Sequence, residues 1–178
     1  MNRTLVLGGA RSGKSAHAEG LLSVDRPAIY LATARRVAGD ADWDRRIAEH
    51  VGRRPGIWRT VEVPTTHDLV TAITAADKHA LPILVDDLAT WLTGVLDDTD
   101  AWDGDVTDAR EQADQLVTAI AGCEARLTIV SAEVGLGVVP ATRSGRLFRD
   151  ELGAVNAAVA GVCTDVLLLV AGLPLRLK

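Results

Sequence analysis

The run Leu5–Glu19, LVLGGARSGKSAHAE, joins a short apolar stretch to a glycine-rich loop and then to residues that favour helix. Within it Gly8, Gly13, Lys14 and Ser15 fall in the spacing G-x-x-x-x-G-K-S. Glycines let backbone N–H groups curl around phosphate oxygens with no side chain in the way. The helix that follows turns the positive end of its dipole toward the anion. Lys14 is the residue type that reaches the β and γ phosphates of a nucleotide, and Ser15 the type that ligates Mg2+. A strand before the loop and a helix after it are the setting this chemistry needs. The rest of the chain must therefore supply a sheet that carries such a loop at the end of a strand.

The remaining pattern does so. Apolar runs at Thr4–Leu7, Ala28–Thr33, Ile83–Asp87, Leu127–Glu133 and Val166–Gly172 read as strands covered on both faces. Trp58–Val63 alternates more and is a weaker strand. The terminal LPLRLK is expected to pair back on the Val166 strand, turning at Leu173–Pro174. Helices are expected after Lys14, over Asp42–His50, from His67 to Ala76 with Thr66 as cap, over Ala89–Leu96, over Val106–Ala121, and from Ser144 to Gly161. Strand and helix in alternation predict an α/β fold with a mainly parallel sheet, flanked by helices and closed by an antiparallel hairpin. No repeat or linker divides it, so 1–178 is expected to be one domain.

Composition narrows the function. The chain is 48% hydrophobic but 3% aromatic, so its core is built of Leu, Val, Ile and Ala. A net charge of -5 argues against a nucleic-acid partner. An anionic ligand would need a local group of arginines instead. Cys123 and Cys163 sit in no metal-binding spacing and are expected to be small buried residues. No apolar run approaches the roughly 20 residues of a membrane span. Gly8 and Gly9 break any leader-like pattern at the start. The expected location is the cytoplasm.

A magnesium site needs a carboxylate from a second strand, and Asp86 ends the ILVD run. Its plainer role would be to cap the helix that begins near Leu88. Alternation sends Asp87 the other way. The arginine group is found at Arg45, Arg46, Arg53 and Arg54, with His50 between the pairs. Neighbouring cations favour a neutral, nucleophilic imidazole, and a nucleophile beside phosphate-binding arginines suggests covalent catalysis at phosphorus. His17 follows the phosphate loop, whereas His67 and His79 read as surface residues. Asp97–Asp108 carries six aspartates. It is read first as a solvated loop that caps the next helix, and second as a flap with Trp102 as its apolar contact. No N-K-x-D segment is present, so guanine is not read by the route GTPases use.

Taken in order, GGARSGKS, RIAEHVGRRPGIWRTVEV, ILVDDLATWLTGVL, AEVGLGVVP, RLFRDELGAVN and VAGLPLRLK resemble one family over nearly the whole chain. It is the bifunctional adenosylcobinamide kinase / adenosylcobinamide-phosphate guanylyltransferase family of cobalamin biosynthesis. The resemblance implies two reactions at one nucleotide site. The γ-phosphate of ATP or GTP passes to the hydroxyl of adenosylcobinamide. A histidine then attacks the α-phosphate of GTP, pyrophosphate leaves, and GMP passes to the phosphorylated corrinoid to give adenosylcobinamide-GDP. The matching histidine is His50. The implied nucleotide contacts are Gly8, Gly9, Ala10, Arg11, Ser12, Gly13, Lys14 and Ser15, then Thr33, Ala34 and Arg35. Val51, Gly52, Arg53, Arg54, Glu62 and Asp86 complete them. Ser15 and Asp86 would hold Mg2+, and Lys14 would act with His50 in catalysis. The resemblance also implies a homo-oligomer, a homotrimer in some members.

Three positions depart from the family pattern. DDLA replaces D-C-L-T after Asp86, Ala132 replaces an Asn before Glu133, and ATRSG follows Pro140. None touches the phosphate loop or His50. Glu133 reads as a contact to metal or corrinoid. Arg146 and Arg149 read either as phosphate contacts or as partners of Asp150 and Glu151. Two other classes fit the loop: a simple small-molecule kinase without a covalent histidine, and a nucleotide-binding regulatory module.

Overall fold

The computed structural model describes residues 2–35, 39–41, 45, 47–48, 51–52, 54–77 and 79–178. Seven strands form one sheet: β1 (Arg3–Gly8), β2 (Ile29–Ala32), β3 (Arg59–Glu62), β4 (Ile83–Asp86), β5 (Leu127–Ala132), β6 (Asp165–Val170) and β7 (Leu173–Arg176). Their order across the sheet is β3-β2-β4-β5-β1-β6-β7, parallel except for β7. The helices whose residues are all described are α1 (Lys14–Gly20), α2 (Thr66–Thr74), α3 (Leu88–Asp98), α4 (Thr107–Gly122) and α5 (Arg143–Val162). The mainly parallel α/β sheet expected from the sequence is what forms.

The period of two along each strand divides the core in two. Leu5, Leu7, Leu31, Ile83, Val85, Leu127 and Ile129 face Leu69 of α2, Trp91 of α3, Leu116 of α4 and Leu152 of α5. Val6, Tyr30, Leu84 and Val130 face Ala18 of α1, with Leu22 and Trp58. Both faces are covered, which is why the strands read as unbroken apolar runs. Each fully buried Leu, Val or Ile here stabilises the fold by about 1.5–3 kcal/mol relative to exposure.

Two local expectations are corrected. The β6–β7 turn lies at Ala171–Gly172, not at Leu173–Pro174: both turn residues have positive φ, 51° and 80°. That is the two-residue hairpin turn whose twist matches the strands. Pro174 sits within β7, opposite Leu169, on an edge strand that tolerates a missing N–H. The cap of α2 is Thr65, whose hydroxyl accepts from the Asp68 N–H. Thr66 is buried instead, donating to Gln112 at 2.6 Å and accepting from Trp91 Nε1 at 3.1 Å. Of the helix expected over Asp42–His50, the described residues Arg45, Ile47 and Ala48 are helical, as are Val51 and Gly52 beyond it. The other residues of that stretch lie outside the described residues.

The aspartate-rich segment is tied down at several points. Asp97 and Asp98 close the last turn of α3, and Asp97 accepts from Trp102 Nε1 at 2.6 Å. Asp105, two residues before α4 begins, accepts from the Thr107 N–H at 3.0 Å and hydroxyl at 2.7 Å. Those bonds hold its carboxyl below the usual carboxylate range, the Thr107 hydroxyl contributing most. Cys123 and Cys163 are both free and buried, and burial pushes the Cys163 thiol up to about 11.

Candidate functional site

The carboxyl ends of the parallel strands collect the chemistry-bearing residues, as in other open α/β sheets. β1 ends at Gly8 and feeds the loop that leads to α1. Two of its glycines are demanded by the local geometry, one by packing and one by backbone conformation. A Cβ at Gly8 would fall 2.3 Å from Ser12 Oγ, and Gly13 has φ +87°. Gly13 is also the N-cap of α1, with no side chain capping the helix. The N–H groups of that first turn are thus left for an anion. The loop closes on itself through Ser12 N–H to Gly9 O at 3.3 Å and His17 N–H to Gly13 O at 2.9 Å.

The register then places β4 beside β2. Ala32 pairs with both Asp86 and Glu62, so Glu62, Ala32 and Asp86 form one row at the sheet's carboxyl edge. Glu62 is exposed there. Asp86 lies on the α1 face, where Oδ1 accepts from Ser15 Oγ at 3.2 Å and Oδ2 accepts from the Tyr30 hydroxyl. Asp87, joined to Asp86 by a cis peptide, faces α3 and caps it by accepting from the Thr90 N–H at 2.8 Å. Helix capping, weighed for Asp86 from the sequence, thus belongs to Asp87. Burial pushes the Asp87 carboxyl up, with the charge of Asp86 adding to it, while the Thr90 bonds and the charge of Lys14 pull it down.

The other expected contacts divide. Thr33 is buried and its hydroxyl is used internally, donating to Asp87 O at 2.7 Å and meeting Thr90 Oγ1 at 2.7 Å. Ala34 is half-buried beside it. Arg35 packs its guanidinium against Gly94 of α3. It grips both oxygens of Asp98, at 2.7 and 2.5 Å, and donates to Pro64 O at 2.8 Å. Val51 and Gly52 are exposed. Arg54 lies over the Tyr30 ring, 3.4 Å from its centroid, and donates to Thr60 at 3.1 Å. His50 and Arg53 lie outside the described residues, as does Arg46.

Three further residues find partners. Glu133 accepts from the Gly135 N–H at 2.7 Å, while its own N–H reaches Gly8 O at 3.1 Å. Arg146 donates to the carbonyls of Pro140 and Ala141, at 3.1 and 2.7 Å. Glu151 pairs with Arg110 of α4 through two bonds, at 3.0 and 2.6 Å, so the pairing of Arg146 with Glu151 weighed from the sequence does not form. Among the described residues no group of three or more His, Cys, Asp or Glu side chains stands ready to hold a metal. Metal affinity here would have to come from Ser15 and Asp86 together with a nucleotide's own phosphates. Sequence reasoning missed Tyr30. Its only signal was a tyrosine in a strand that is otherwise aliphatic.

Residues 4–177 match the family model described as cobinamide kinase / cobinamide phosphate guanyltransferase. A bifunctional adenosylcobalamin biosynthesis protein of Pseudomonas aeruginosa, CobP, is 42% identical, covering 99% of this chain and 97% of that protein. The proteins of the same description named CobU in Salmonella typhimurium and Escherichia coli are each 36% identical, with 98% of both chains covered. Among solved structures, a prototypical ATPase of the type III secretion system of pathogenic bacteria superposes with a TM-score of 0.58 over 95% of this chain and 51% of that one. At 12% identity that likeness speaks for the fold alone.

Proposed function

This chain belongs to the cobinamide kinase / cobinamide phosphate guanyltransferase family, and from that premise we propose how its residues divide the two activities. ATP or GTP binds with its phosphates in the loop from Gly8 to Ser15. The observation that carries this reading is the meeting of Ser15 and Asp86 at the exit of that loop. A hydroxyl and a carboxylate oxygen 3.2 Å apart are hard donors, the chemistry Mg2+ takes. Ser15 and Asp86 would hold the ion, which when bound would offset charge on the phosphate oxygens.

In the kinase reaction Lys14 and the loop N–H groups hold the β and γ phosphates while the hydroxyl of adenosylcobinamide attacks the γ-phosphorus. The bond from that phosphorus to the β-phosphate oxygen breaks, the nucleoside diphosphate leaves, and the proton of the attacking hydroxyl is released to solvent. In the second reaction the imidazole of His50 attacks the α-phosphorus of GTP. Pyrophosphate departs with the bonding electrons, leaving GMP on the histidine nitrogen. A phosphate oxygen of adenosylcobinamide phosphate then displaces the histidine and forms adenosylcobinamide-GDP. Arg53 and Arg54 follow His50 closely in sequence and would offset the charge on the departing pyrophosphate.

The cell's cytoplasm is the proposed place of action, and no helix among the described residues is long and apolar enough to cross a membrane. A homo-oligomer, on the family's pattern a homotrimer, is proposed as the working form. Support comes from the exposed Leu173, Leu175 and Leu177 along the edge strand β7 and its tail. Light scattering on the purified protein tests it, with a monomer as the contrary result. The central experiment uses GTP labelled in its α- or γ-phosphate. Retention of the α label on denatured protein, lost in acid and kept in alkali, is the expected result. A γ label passing to the corrinoid, with no protein ever labelled, would select the simple kinase instead.

A further inference from the structure

Tyr30 is the chain's one tyrosine and belongs to no phosphate-binding motif. It lies in β2, on the face of the sheet covered by α1, with 1% of its surface exposed. Its backbone pairs with Leu84, two residues before Asp86 on β4. Residues two apart on a strand share a face, so the long phenol reaches forward along the neighbouring strand to the carboxylate. There the hydroxyl donates to Asp86 Oδ2, while Asp86 Oδ1 takes the Ser15 hydroxyl. Each oxygen of Asp86 is thereby held by a different hydroxyl. A carboxylate gripped at both oxygens has little freedom to rotate about its last torsion.

A face of the same ring is also in use. The Arg54 guanidinium lies over it, 3.4 Å from its centroid. The second guanidinium contact, to Thr60, comes from β3. A continuous chain of contacts therefore runs Arg54–Tyr30–Asp86–Ser15. It connects the segment that follows His50 in sequence to the phosphate loop.

We propose that Tyr30 is a positioning residue for the metal-binding carboxylate: its hydroxyl aims Asp86 at Ser15, and its ring seats Arg54 in the same act. The proposal rests on the reading that Ser15 and Asp86 hold Mg2+. It adds that one buried side chain couples the arginine end of the site to the phosphate loop. Tyr30→Phe keeps the ring and removes the aim. Tyr30→Leu removes both.

The test is nucleotide affinity of the full chain, measured by calorimetry with the non-hydrolysable guanosine 5′-(β,γ-imido)triphosphate, in EDTA and across a Mg2+ titration. In Tyr30→Phe the Mg2+ midpoint should rise roughly tenfold, as for loss of a hydrogen bond to a charged group. Affinity in EDTA should stay within twofold of wild type. Placed in an Asp86→Asn background, Tyr30→Phe should add no further shift. Tyr30→Leu should weaken binding in EDTA as well, because Arg54 loses its seat. Equal losses in EDTA and Mg2+ for Tyr30→Phe, or the same loss on top of Asp86→Asn, would mark a merely structural tyrosine and overturn the proposal. So would an unchanged Mg2+ midpoint. If wild-type protein itself gains no affinity from Mg2+, it is the magnesium reading of Ser15 and Asp86 that has failed, and the proposal falls with it. If Tyr30→Leu does not fold, Tyr30→Phe alone decides.

Discussion

Asp86 and Asp87 are consecutive in the chain and act on opposite faces of the sheet. Asp86 meets Ser15 and Tyr30 on the α1 side, and Asp87 caps α3 on the other. Substituting each should therefore give a different failure. Asp87→Ala removes a helix cap and should cost about 1 kcal/mol, or roughly 3 °C in melting temperature for a chain of this size. Asp86→Asn should leave the melting temperature close to wild type but raise the Mg2+ needed for half-maximal nucleotide binding roughly tenfold, a neutral amide being a poorer ligand for a hard cation. Calorimetric melting and a Mg2+ titration on both variants check the division. Interchanged phenotypes would mean that the two roles have been assigned the wrong way round.

Gly94 and Arg35 form a second dependent pair. A Cβ at Gly94 would come within 2.8 Å of the Arg35 guanidinium carbon. That guanidinium is pinned by Asp98 and by Pro64 O, so it has little room to yield. Alanine in mid-helix is otherwise favoured over glycine by about 1 kcal/mol. The sign of Gly94→Ala should then depend on residue 35. In the wild-type background the change should be neutral or destabilising. In an Arg35→Ala background the same change should stabilise by about 1 kcal/mol. Urea unfolding of the four proteins measures the cycle, and equal effects in both backgrounds would refute the packing argument.

Acid should loosen the same contact. Arg35, chiefly through its hydrogen bonds, holds the Asp98 carboxyl below the ordinary value of 3.8, while burial opposes it. The folded state thus binds this proton more weakly than the unfolded chain does. The stability contributed is present above the ordinary value and lost as pH falls through the lower folded one. Both side chains are substantially exposed, at 30% and 50%, so solvent screens the pair and the effect is small. Unfolding measured between about pH 5 and pH 3 should show a shallower loss of stability in Asp98→Asn and in Arg35→Ala than in wild type. Slopes unchanged in both variants would assign the acid sensitivity to other carboxylates such as Asp105.

What the sequence made legible follows from its physics. Strands covered on both faces read as apolar runs, so β1, β4, β5 and β6 could be found from composition alone. The phosphate loop was legible because its contacts are local. Tyr30 was not. Periodicity says that a side chain is buried but not what its hydroxyl meets, and β2 and β4 become neighbours only in the folded sheet. The pairing of Arg35 with Asp98 was hidden for the same reason, the two being distant in sequence. The hairpin turn was misplaced because proline signals turns in general. Here Ala171 and Gly172 take the positive φ angles, and Pro174 fits the free edge of β7. Thr65 and Thr66 carry the same side chain, and only the backbone decides which one caps α2.

His50 separates the two reactions. Kinase chemistry asks for held phosphates and a substrate hydroxyl and for no protein nucleophile. Guanylyl transfer through a histidine asks for the imidazole itself, because its nitrogen bonds to the α-phosphorus. His50→Ala should therefore abolish formation of adenosylcobinamide-GDP while phosphorylation of adenosylcobinamide remains measurable. Lys14→Ala is the contrasting variant. It removes a cation needed for both reactions, and both should fall by about 10²–10³-fold, the usual cost of losing one electrostatic contact to a transition state. Product analysis by mass spectrometry, with circular dichroism to confirm folding, reads both variants in one experiment. Proportional loss of the two activities in His50→Ala would make that residue a contributor to nucleotide binding and not the nucleophile. Undiminished uptake of α-label by His50→Ala would move the search to His17, the next histidine near the phosphate loop.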